Sequence, residues 1–373
     1  MKIRVIIGKF SQYGGAESIA FRFSKFLYQS GLLEEVLCFK REESDFSGKV
    51  VELPVLKLGR FLKAYSFNYL VNKYLQEKEN QNTVNFSFNR VQNCHVFRAG
   101  GGTHLGFLKK SIEAYRGLDR IKKRFTRFLN PINVYMPTLE KKILLSSKRI
   151  IAISEQVKEE IKEYYGDTFQ RKVSVIPNSV DTNRFNSNYR KLNKQRLRKN
   201  LNISKEIFVI GFASSNFKLK GLNHIIEALK KLPNNVHLIV AGGRNPRKYL
   251  KLAESLKVRE RVHFLGKIRR MEDFYTVIDC LAHPSFYDSF GNVVTEALSM
   301  HVPVIVSKNT GSKDFVVSGK NGFLLNAINS NELAKCIMKT MNFKPDFSVN
   351  KFLDDKKMFQ LYIKEAEKSL LIK

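Results

Sequence analysis

Residues 283–303, H-P-S-F-Y-D-S-F-G-N-V-V-T-E-A-L-S-M-H-V-P, decide the fold of this chain. Asp288 and Glu296 are two carboxylates eight residues apart, and between them a loop led by Gly291 opens a predicted helix. The start of a helix offers free backbone N–H groups and the positive end of the helix dipole, so it holds an anion well. A carboxylate on each side of such a phosphate site suits a ligand with hydroxyls at both ends. A nucleotide sugar is such a ligand, because its pyrophosphate lies between a ribose and a hexose.

Short apolar runs alternate with helical stretches on both sides of this segment, which predicts parallel sheets with crossover helices. In the first half, residues 3–7 predict the first strand and residues 18–29 the first helix. A second alternating domain begins at Ile207, and its apolar runs are typical of strands covered on both faces. Its predicted strands are 208–213, 237–241, 262–265, 280–283 and 304–307. Doubly wound domains bind ligands at the carboxyl ends of their strands, where the candidate motifs lie.

The 283–303 segment resembles the acid-x7-acid motif of the family 4 retaining glycosyltransferases. That family has the GT-B fold, an α/β architecture of two Rossmann-like doubly wound domains facing across a cleft. The resemblance implies that Asp288 contacts the transferred sugar, that Glu296 binds the ribose, and that the loop amides hold the pyrophosphate. Asp288 stands where the family more often has Glu, and a surface aspartate beside an ordinary helix start is the alternative interpretation. The implied donor-binding residues of the loop are Phe290, Gly291, Asn292, Val293 and Val294.

Three further motifs resemble donor-binding segments of the same family. Gly14 and Gly15 follow the first strand, where a glycine-rich turn lets the backbone approach a ligand closely, and they match the family's G-G-x-E loop. Lys220 precedes a predicted helix after strand 208–213, a position from which it can meet a phosphate. It matches the lysine of the family's R-K-G region, and Lys218 is expected to supply the cation missing before it. Lys267 and Ile268 match the family's base-binding turn.

A glycine-rich string, R-A-G-G-G-T-H, runs from Arg98 to His104 in the first half of the chain. It resembles the R-x-G-G-G-x-H loop of the lipopolysaccharide-core glucosyltransferases within family 4. The resemblance places His104 near the transferred sugar, through its backbone carbonyl. A histidine that caps or packs a helix is the alternative. The implied acceptor-loop residues are Gly100, Gly101, Gly102, Thr103 and His104.

A basic segment follows this loop, with cations at spacings of seven, four, three and four that predict one helical face. Apolar and aromatic residues recur between the cations at helical spacing, which is typical of a helix that lies on a membrane surface. The alternative is an ordinary helix that packs its apolar face on the domain core. The cations assigned to the membrane are Lys109, Arg116, Arg120, Lys123 and Arg127.

Length and composition narrow the class of protein. A chain of 373 residues is long enough for two domains with full cores. The resemblance predicts an acceptor-binding domain at 1–180, a nucleotide-sugar-binding domain at 181–345, and a C-terminal helical segment at 346–373 that crosses back to the first domain. The four cysteines are scattered, which suits reduced thiols and offers no metal framework. No apolar run approaches the ~20 residues of a spanning helix.

The net charge of +31 favours polyanionic partners such as anionic lipid surfaces and phosphorylated glycolipids. We therefore expect a cytoplasmic protein, peripheral on the inner face of the inner membrane. Because the sequence has no D-x-D pair, we expect no metal and no cofactor. Lys220, Lys218 and helix N-termini would replace the metal in stabilising the leaving diphosphate.

The predicted activity is transfer of a hexose from a nucleotide diphosphate sugar, such as UDP-glucose, to a lipopolysaccharide core, with the retention that the family implies. Asp288, Lys220 and His104 are the predicted catalytic residues. Synthesis of capsule, O-antigen or another lipid-linked glycan is the alternative with the same chemistry. A basic, non-enzymatic polyanion-binding protein ranks last, because the sequence contains no recognisable nucleic-acid module and no nucleic-acid partner is expected.

Overall fold

The computed structural model describes residues 1–56 and 58–372. The chain forms two compact units, one made of Met1–Asn178 with the residues from Asp355 onward, the other of Ser179–Asp354. Lys57 and Lys373, which fall in the segments predicted as 1–180 and 346–373, lie outside the described residues. The chain enters and leaves the second unit side by side, since the Val180 N–H donates to the Leu353 carbonyl at 3.0 Å.

The strands of the described chain are short, and nine of them belong to the first unit. Those nine are β1 (Lys2–Ile6), β2 (Lys9–Phe10), β3 (Leu33–Cys38), β4 (Lys40–Arg41), β5 (Val50–Glu52), β6 (Thr83–Ser87), β7 (Val96–Ala99), β8 (Arg149–Ala152) and β9 (Val173–Val175). The second unit contains β10 (Phe208–Ala213), β11 (Val236–Ala241), β12 (Val262–Gly266), β13 (Cys280–His283), β14 (Val304–Ser307) and β15 (Gly322–Leu325).

The helices alternate with these strands, as the sequence predicts. Those that begin before residue 179 are α1 (Ala16–Gln29), α2 (Gly59–Glu77), α3 (His104–Ser111), α4 (Gly117–Phe128), α5 (Ile132–Ser146) and α6 (Glu155–Tyr165). The later helices are α7 (Ser187–Asn200), α8 (Leu222–Leu229), α9 (Arg247–Ser255), α10 (Met271–Val277), α11 (Asn292–Ser299), α12 (Ser330–Met341) and α13 (Asp355–Leu370).

The first unit is built on a parallel sheet in the order β5-β3-β1-β6-β7-β8-β9. The last helix of the described chain, α13, packs on this sheet through an aromatic cluster. The Tyr362 ring centroid lies 5.3 Å from that of Phe86 and 5.4 Å from that of Phe23. Aromatic pairs of this kind add about 0.5–1.5 kcal/mol each beyond the area they bury. The helix is therefore part of the core of the first unit.

The second unit is built on a parallel sheet in the order β12-β11-β10-β13-β14-β15. Its central strand is buried on both faces, because Ile210 packs in the apolar cluster on one side and Val209 in the cluster on the other. A strand covered on both faces has a continuous apolar sequence rather than an alternating one. The predicted fold class, two Rossmann-like doubly wound units, is confirmed.

Candidate functional site

Two loops of the second unit meet where its strand order reverses. The β10 and β13 strands are neighbours whose chains continue in opposite directions across the sheet, and ligands of doubly wound sheets bind at such a switch point. Gly221 ends the first loop with a left-handed φ of +76°, and a Cβ there would lie 2.4 Å from the Pro284 carbonyl oxygen. The Phe286 N–H donates to the Leu219 carbonyl at 2.9 Å. This close packing brings Lys220 beside Asp288.

Lys220, Asp288 and His283 form one buried polar cluster at this edge. The Lys220 Nζ lies 2.6 Å from the Asp288 Oδ2 and donates to the Tyr287 carbonyl at 2.8 Å. The His283 Nε2 lies 3.0 Å from the same Oδ2. The Asp288 side chain is only 19% exposed, so it is not the surface aspartate of the alternative interpretation. His283 belongs to the quoted segment, but the sequence assigned it no role.

The cluster holds a carboxylate and a neutral imidazole. Burial favours the protonated form of Asp288, but the Lys220 ammonium and the His283 hydrogen bond outweigh it and hold the pKa well below the ordinary value. Burial lowers the pKa of His283, against a smaller opposing effect of Asp288. A neutral His283 that donates from Nε2 keeps a lone pair on Nδ1, and that atom is buried with no hydrogen-bond partner among the described residues.

The loop before α11 places a helix N-terminus beside this cluster. Gly291 caps α11 with a left-handed φ of +87°, and a Cβ there would lie 3.3 Å from the Asp288 Oδ2. The segment around Phe290 is fixed by the Ser312 N–H, which donates to its carbonyl at 2.7 Å. Asn292 and Val293 begin the helix. The Val294 N–H donates to the Gly291 carbonyl at 3.0 Å, so this amide is engaged in the first turn.

Glu296 lies further along α11, and the hydroxyl of buried Tyr275 donates to its Oε2 at 2.7 Å. Burial raises the pKa of Tyr275 well above its ordinary value, and the neighbouring carboxylate raises it further. The phenol therefore stays protonated and fixes one oxygen of Glu296. No sequence motif pointed to Tyr275, because a buried tyrosine on a helix is indistinguishable from a core residue.

The loops after β10, β11 and β12 pack against one another at the same edge of the sheet. The Gly242 N–H donates to the Gly266 carbonyl at 2.7 Å, and a Cβ on Gly243 would lie 2.6 Å from the Lys267 side chain. Ile268 is half-buried against the apolar cluster of the second unit. Lys218 belongs to the turn after β10, where its carbonyl accepts from the Gly221 N–H at 3.2 Å. Lys218, Lys267 and Ile268 thus share an edge with Lys220.

The first unit carries the other predicted motifs at the carboxyl edge of its own sheet. Gly14 and Gly15 precede α1 and are exposed, with Gly14 in the left-handed region at φ +107°. The segment after β7 contains Gly100, Gly101 and Gly102, which line a cavity. This arrangement leaves backbone accessible at both predicted loops.

Two buried carboxylates anchor the glycine loop at the start of α3. The Thr103 N–H donates to the Glu160 Oε2 at 3.3 Å, and the His104 N–H donates to both oxygens of Glu140 at 2.9 Å. Thr103 caps the helix by accepting from the Gly106 N–H at 3.1 Å. Neither glutamate lies in a motif, so the sequence did not single them out.

His104 is the first residue of α3, as predicted, and its imidazole is packed. Its Nε2 lies 2.9 Å from the Asn133 Oδ1, and burial lowers its pKa despite that hydrogen bond. The ring is therefore neutral near pH 7. The predicted contact between its carbonyl and a sugar stays a prediction.

The basic segment is not one continuous helix, so the predicted single face is wrong. Gly117 adopts a left-handed φ of +51° after extended Tyr115, and this break separates Lys109 on α3 from the cations of α4. Lys109 pairs with Glu163 at 2.7 Å. Arg127 turns back and donates to the Leu108 carbonyl at 2.9 Å. Arg116, Arg120 and Lys123 remain with α4 or its N-cap.

The α4 helix itself does not pack its apolar face on the core. Leu118, Ile121, Phe125 and Phe128 are 75%, 64%, 62% and 81% exposed, and α4 has no buried residue. The packed-helix alternative is therefore wrong for this part of the segment. Within residues 1–56 and 58–372, no helix combines the length and apolar character needed to cross a bilayer.

Two family models match consecutive parts of the chain. "Glycosyltransferase Family 4" matches residues 13–184, and "Glycosyl transferases group 1" matches residues 193–347. Among curated relatives, lipopolysaccharide glucosyltransferase WaaG of Escherichia coli is 25% identical over 54% of each chain. Capsular polysaccharide biosynthesis glycosyltransferase CapM of Staphylococcus aureus is 28% identical over 55% of each chain. The chain thus spans about half the length of the curated relatives it matches.

Solved structures match the chain over nearly its full length. The crystal structure of WaaG has a TM-score of 0.74 at 19% identity, covering 100% of this chain and 95% of that one. HepE of Anabaena, solved with UDP and glucose, has a TM-score of 0.71 at 20% identity, covering 98% and 99%. At these identities the likeness establishes the fold, which is GT-B.

Proposed function

This chain belongs to glycosyltransferase family 4, and from that premise we propose that it transfers a hexose from a nucleotide diphosphate sugar to a glycan acceptor. The observation that carries the proposal is the cluster of Lys220, Asp288 and His283 beside the N-terminus of α11. It combines a cation, a carboxylate and helix amides at a switch point, which are the groups that a sugar diphosphate requires. HepE, of the same fold, was solved with UDP and glucose, which supports UDP-glucose as the donor.

The proposed reaction retains configuration and uses no metal. The C1–O bond to the diphosphate breaks while an acceptor oxygen bonds to C1 on the same face, and the acceptor proton passes to the leaving diphosphate oxygen. A lysine ammonium has three donors, of which Asp288 and the Tyr287 carbonyl take two. We assign the third donor of Lys220, with Lys218 and the α11 dipole, to the diphosphate charge.

Asp288 and Glu296 are assigned to the two sugars of the donor. Asp288 stays ionised across the physiological range, so it accepts hydrogen bonds from the hydroxyls of the transferred hexose. Glu296, with one oxygen fixed by Tyr275, accepts from the ribose. Lys267 and Ile268 contact the base through their backbone.

The proposed acceptor is a lipopolysaccharide core, supported by the likeness to WaaG in sequence and fold. Synthesis of capsule or another lipid-linked glycan is the second candidate, and the likeness to CapM favours it. A donor panel of UDP-, GDP- and ADP-sugars, each tested against purified cores and lipid-linked acceptors, separates the two.

We further propose that α4 holds the protein on the cytoplasmic face of the inner membrane. Exposed apolar side chains beside Arg120, Lys123 and Arg124 suit the boundary between lipid headgroups and acyl chains. Charge reversal of Arg120 and Lys123 is expected to lower binding to anionic vesicles, measured by co-sedimentation. The control reverses exposed Lys191 and Lys199 on α7, and equal losses in both variants would refute a role specific to α4.

The central test replaces the donor carboxylates. Asp288→Asn preserves the shape of the side chain, and Glu296→Ala removes the ribose contact. Each is expected to lower hexose transfer about 10²–10³-fold, measured at a temperature where the variant is still folded, because Asp288→Asn also removes one partner of the buried ion pair with Lys220. Glu254→Gln, on the exposed face of α9, is the control. Unchanged turnover in the Asp288 variant would defeat the proposal.

A further inference from the structure

A cavity of about 350 Å³ opens in the first unit, at the carboxyl ends of β6 and β7. Its wall combines the glycine loop, aromatic side chains and four cations, and no Asp or Glu lines it among the residues that the structure describes. The lining cations are Arg60, Lys63, Arg90 and Arg98. A concave site with this charge attracts an anion.

Arg98 is the most unusual member of the wall, because its guanidinium is buried among neutral groups. The side chain is 1% exposed, its Nε donates to the Tyr362 hydroxyl at 2.7 Å, and its Nη2 donates to the Asn178 side-chain oxygen. The Phe88 ring centroid lies 5.2 Å from its Cζ. A buried charge that faces only neutral partners is expensive unless a counter-charge completes the site.

One donor atom of Arg98 is left for such a counter-charge. The Nη1 is buried and has no hydrogen-bond partner among the described residues. It lies against the glycine loop, since a Cβ on Gly100 would come within 2.2 Å of it. Glycine at this position therefore keeps the guanidinium at the wall of the cavity.

The other three cations of the cavity lie closer to solvent than Arg98 does. Arg90 donates to the Gly102 carbonyl at 2.8 Å and pairs with Glu140, so part of its charge is compensated. Lys63 lies on α2 with its Nζ 3.9 Å above the Phe39 ring, and exposed Arg60 lies one turn earlier. The cavity thus offers one desolvated guanidinium nitrogen as a donor and two cations nearer to solvent.

We propose that this cavity is a subsite for a phosphomonoester carried by the acceptor, with Arg98 as its buried donor and with Arg60 and Lys63 at its rim. The assignment to the acceptor rests on the proposed function, whereas the anion site itself rests on the geometry of the first unit. The remaining Nη1 of Arg98 can donate a charge-assisted hydrogen bond to a phosphate oxygen, and the aromatic wall suits the attached sugar ring.

The first experiment measures binding by calorimetry, with saturating UDP present so that the donor site is occupied. Glucose 6-phosphate and inorganic phosphate are expected to bind, and glucose is not. Arg60→Gln with Lys63→Gln should weaken binding about tenfold or more, and Gly100→Ala should weaken it by displacing the Arg98 Nη1. Lys73→Gln with Lys78→Gln, an equal charge change at exposed positions on α2 and at its C-cap, should leave binding unchanged.

The second experiment compares phosphorylated with enzymatically dephosphorylated acceptor. Loss of the phosphate should raise the acceptor KM about tenfold, and the Arg60 and Lys63 double variant should do the same, with kcat changed less in both cases. If neither phosphate probe binds while UDP-sugar hydrolysis is normal, the subsite is refuted and the proposed function stands. If the probes bind as expected but no nucleotide sugar is turned over, the proposed function fails and the anion site stands.

Discussion

Replacing Lys220 by methionine tests whether the polar cluster of the second unit is built as described. The change keeps the aliphatic stem and removes the ammonium that lies 2.6 Å from the Asp288 Oδ2. Asp288 then remains in a largely buried site, with the His283 Nε2 3.0 Å from its Oδ2. Its pKa is expected to rise, because the ammonium is the main group that opposes burial.

The stability cost follows from the burial of the pair. Removing one partner of a buried ion pair costs about 3–5 kcal/mol, and the remaining histidine donor places this case at the lower end, at about 3 kcal/mol. For a domain of this size that corresponds to a fall in Tm of roughly 6–12 °C. Adding Asp288→Asn should recover part of the loss, because the second change removes the uncompensated carboxylate.

The assay is thermal unfolding at pH 7.5, followed by UDP-sugar turnover on the same preparations. Lys230→Met, at an exposed position after α8, is the control and should change the free energy of unfolding by less than about 0.5 kcal/mol. Turnover in Lys220→Met should fall about 10²-fold or more. A loss below about 1 kcal/mol, or a double variant less stable than Lys220→Met, would refute the reasoning.

Three other perturbations follow from the same site. Gly221→Ala should lower the free energy of unfolding in urea by about 2–4 kcal/mol, because the backbone there is left-handed and the new Cβ would clash with a carbonyl oxygen. The control Gly319→Ala is also left-handed, at φ +80°, but has open space around it, so it should lower the free energy of unfolding by only about 1 kcal/mol. Tyr275→Phe should raise the donor KM a few-fold and change kcat less, and an unchanged donor KM would show that the phenol is only packing. Stability should fall as the pH drops below about 6.5, because the unfolded chain binds a proton on His283 that the folded chain, with its lowered pKa, does not. The pKa of Asp288 is also lowered in the folded chain, so its contribution to stability is present above about pH 4 and is lost as the pH falls further. Tm measured from pH 7.5 to 3 should therefore decline in two stages. The first decline should be shallower in His283→Asn.

The sequence predicted the second unit more completely than the first. Strands 208–213, 280–283 and 304–307 were predicted to the residue, because a parallel strand covered on both faces is an uninterrupted apolar run. The sequence also predicts the donor loop, because Asp288 lies only a few residues before the start of the helix. The packing of Lys220 on Asp288, 68 positions later, depends on the order of strands in the sheet.

The features of the first unit that the sequence did not predict depend on contacts or backbone conformations that no local sequence pattern contains. Arg98 appeared only as the first letter of a glycine motif, whereas its partner Tyr362 lies 264 residues away. The basic segment was predicted as one face because its spacing is helical. The break at Gly117 comes from a backbone conformation that glycine permits but that spacing does not reveal.

The aromatic packing of α13 on the sheet of the first unit has a consequence for the order in which the two units are completed during biosynthesis. Ser179–Asp354 is a contiguous stretch, so every residue of its core has been made once Asp354 has been translated. The N-terminal unit, although its first 178 residues are made earlier, lacks Phe359 and Tyr362 until α13 has been translated, so Arg98 gains its Tyr362 partner only then. A premature stop shortly before residue 355 would thus leave the second unit nearly complete and the first unit without α13.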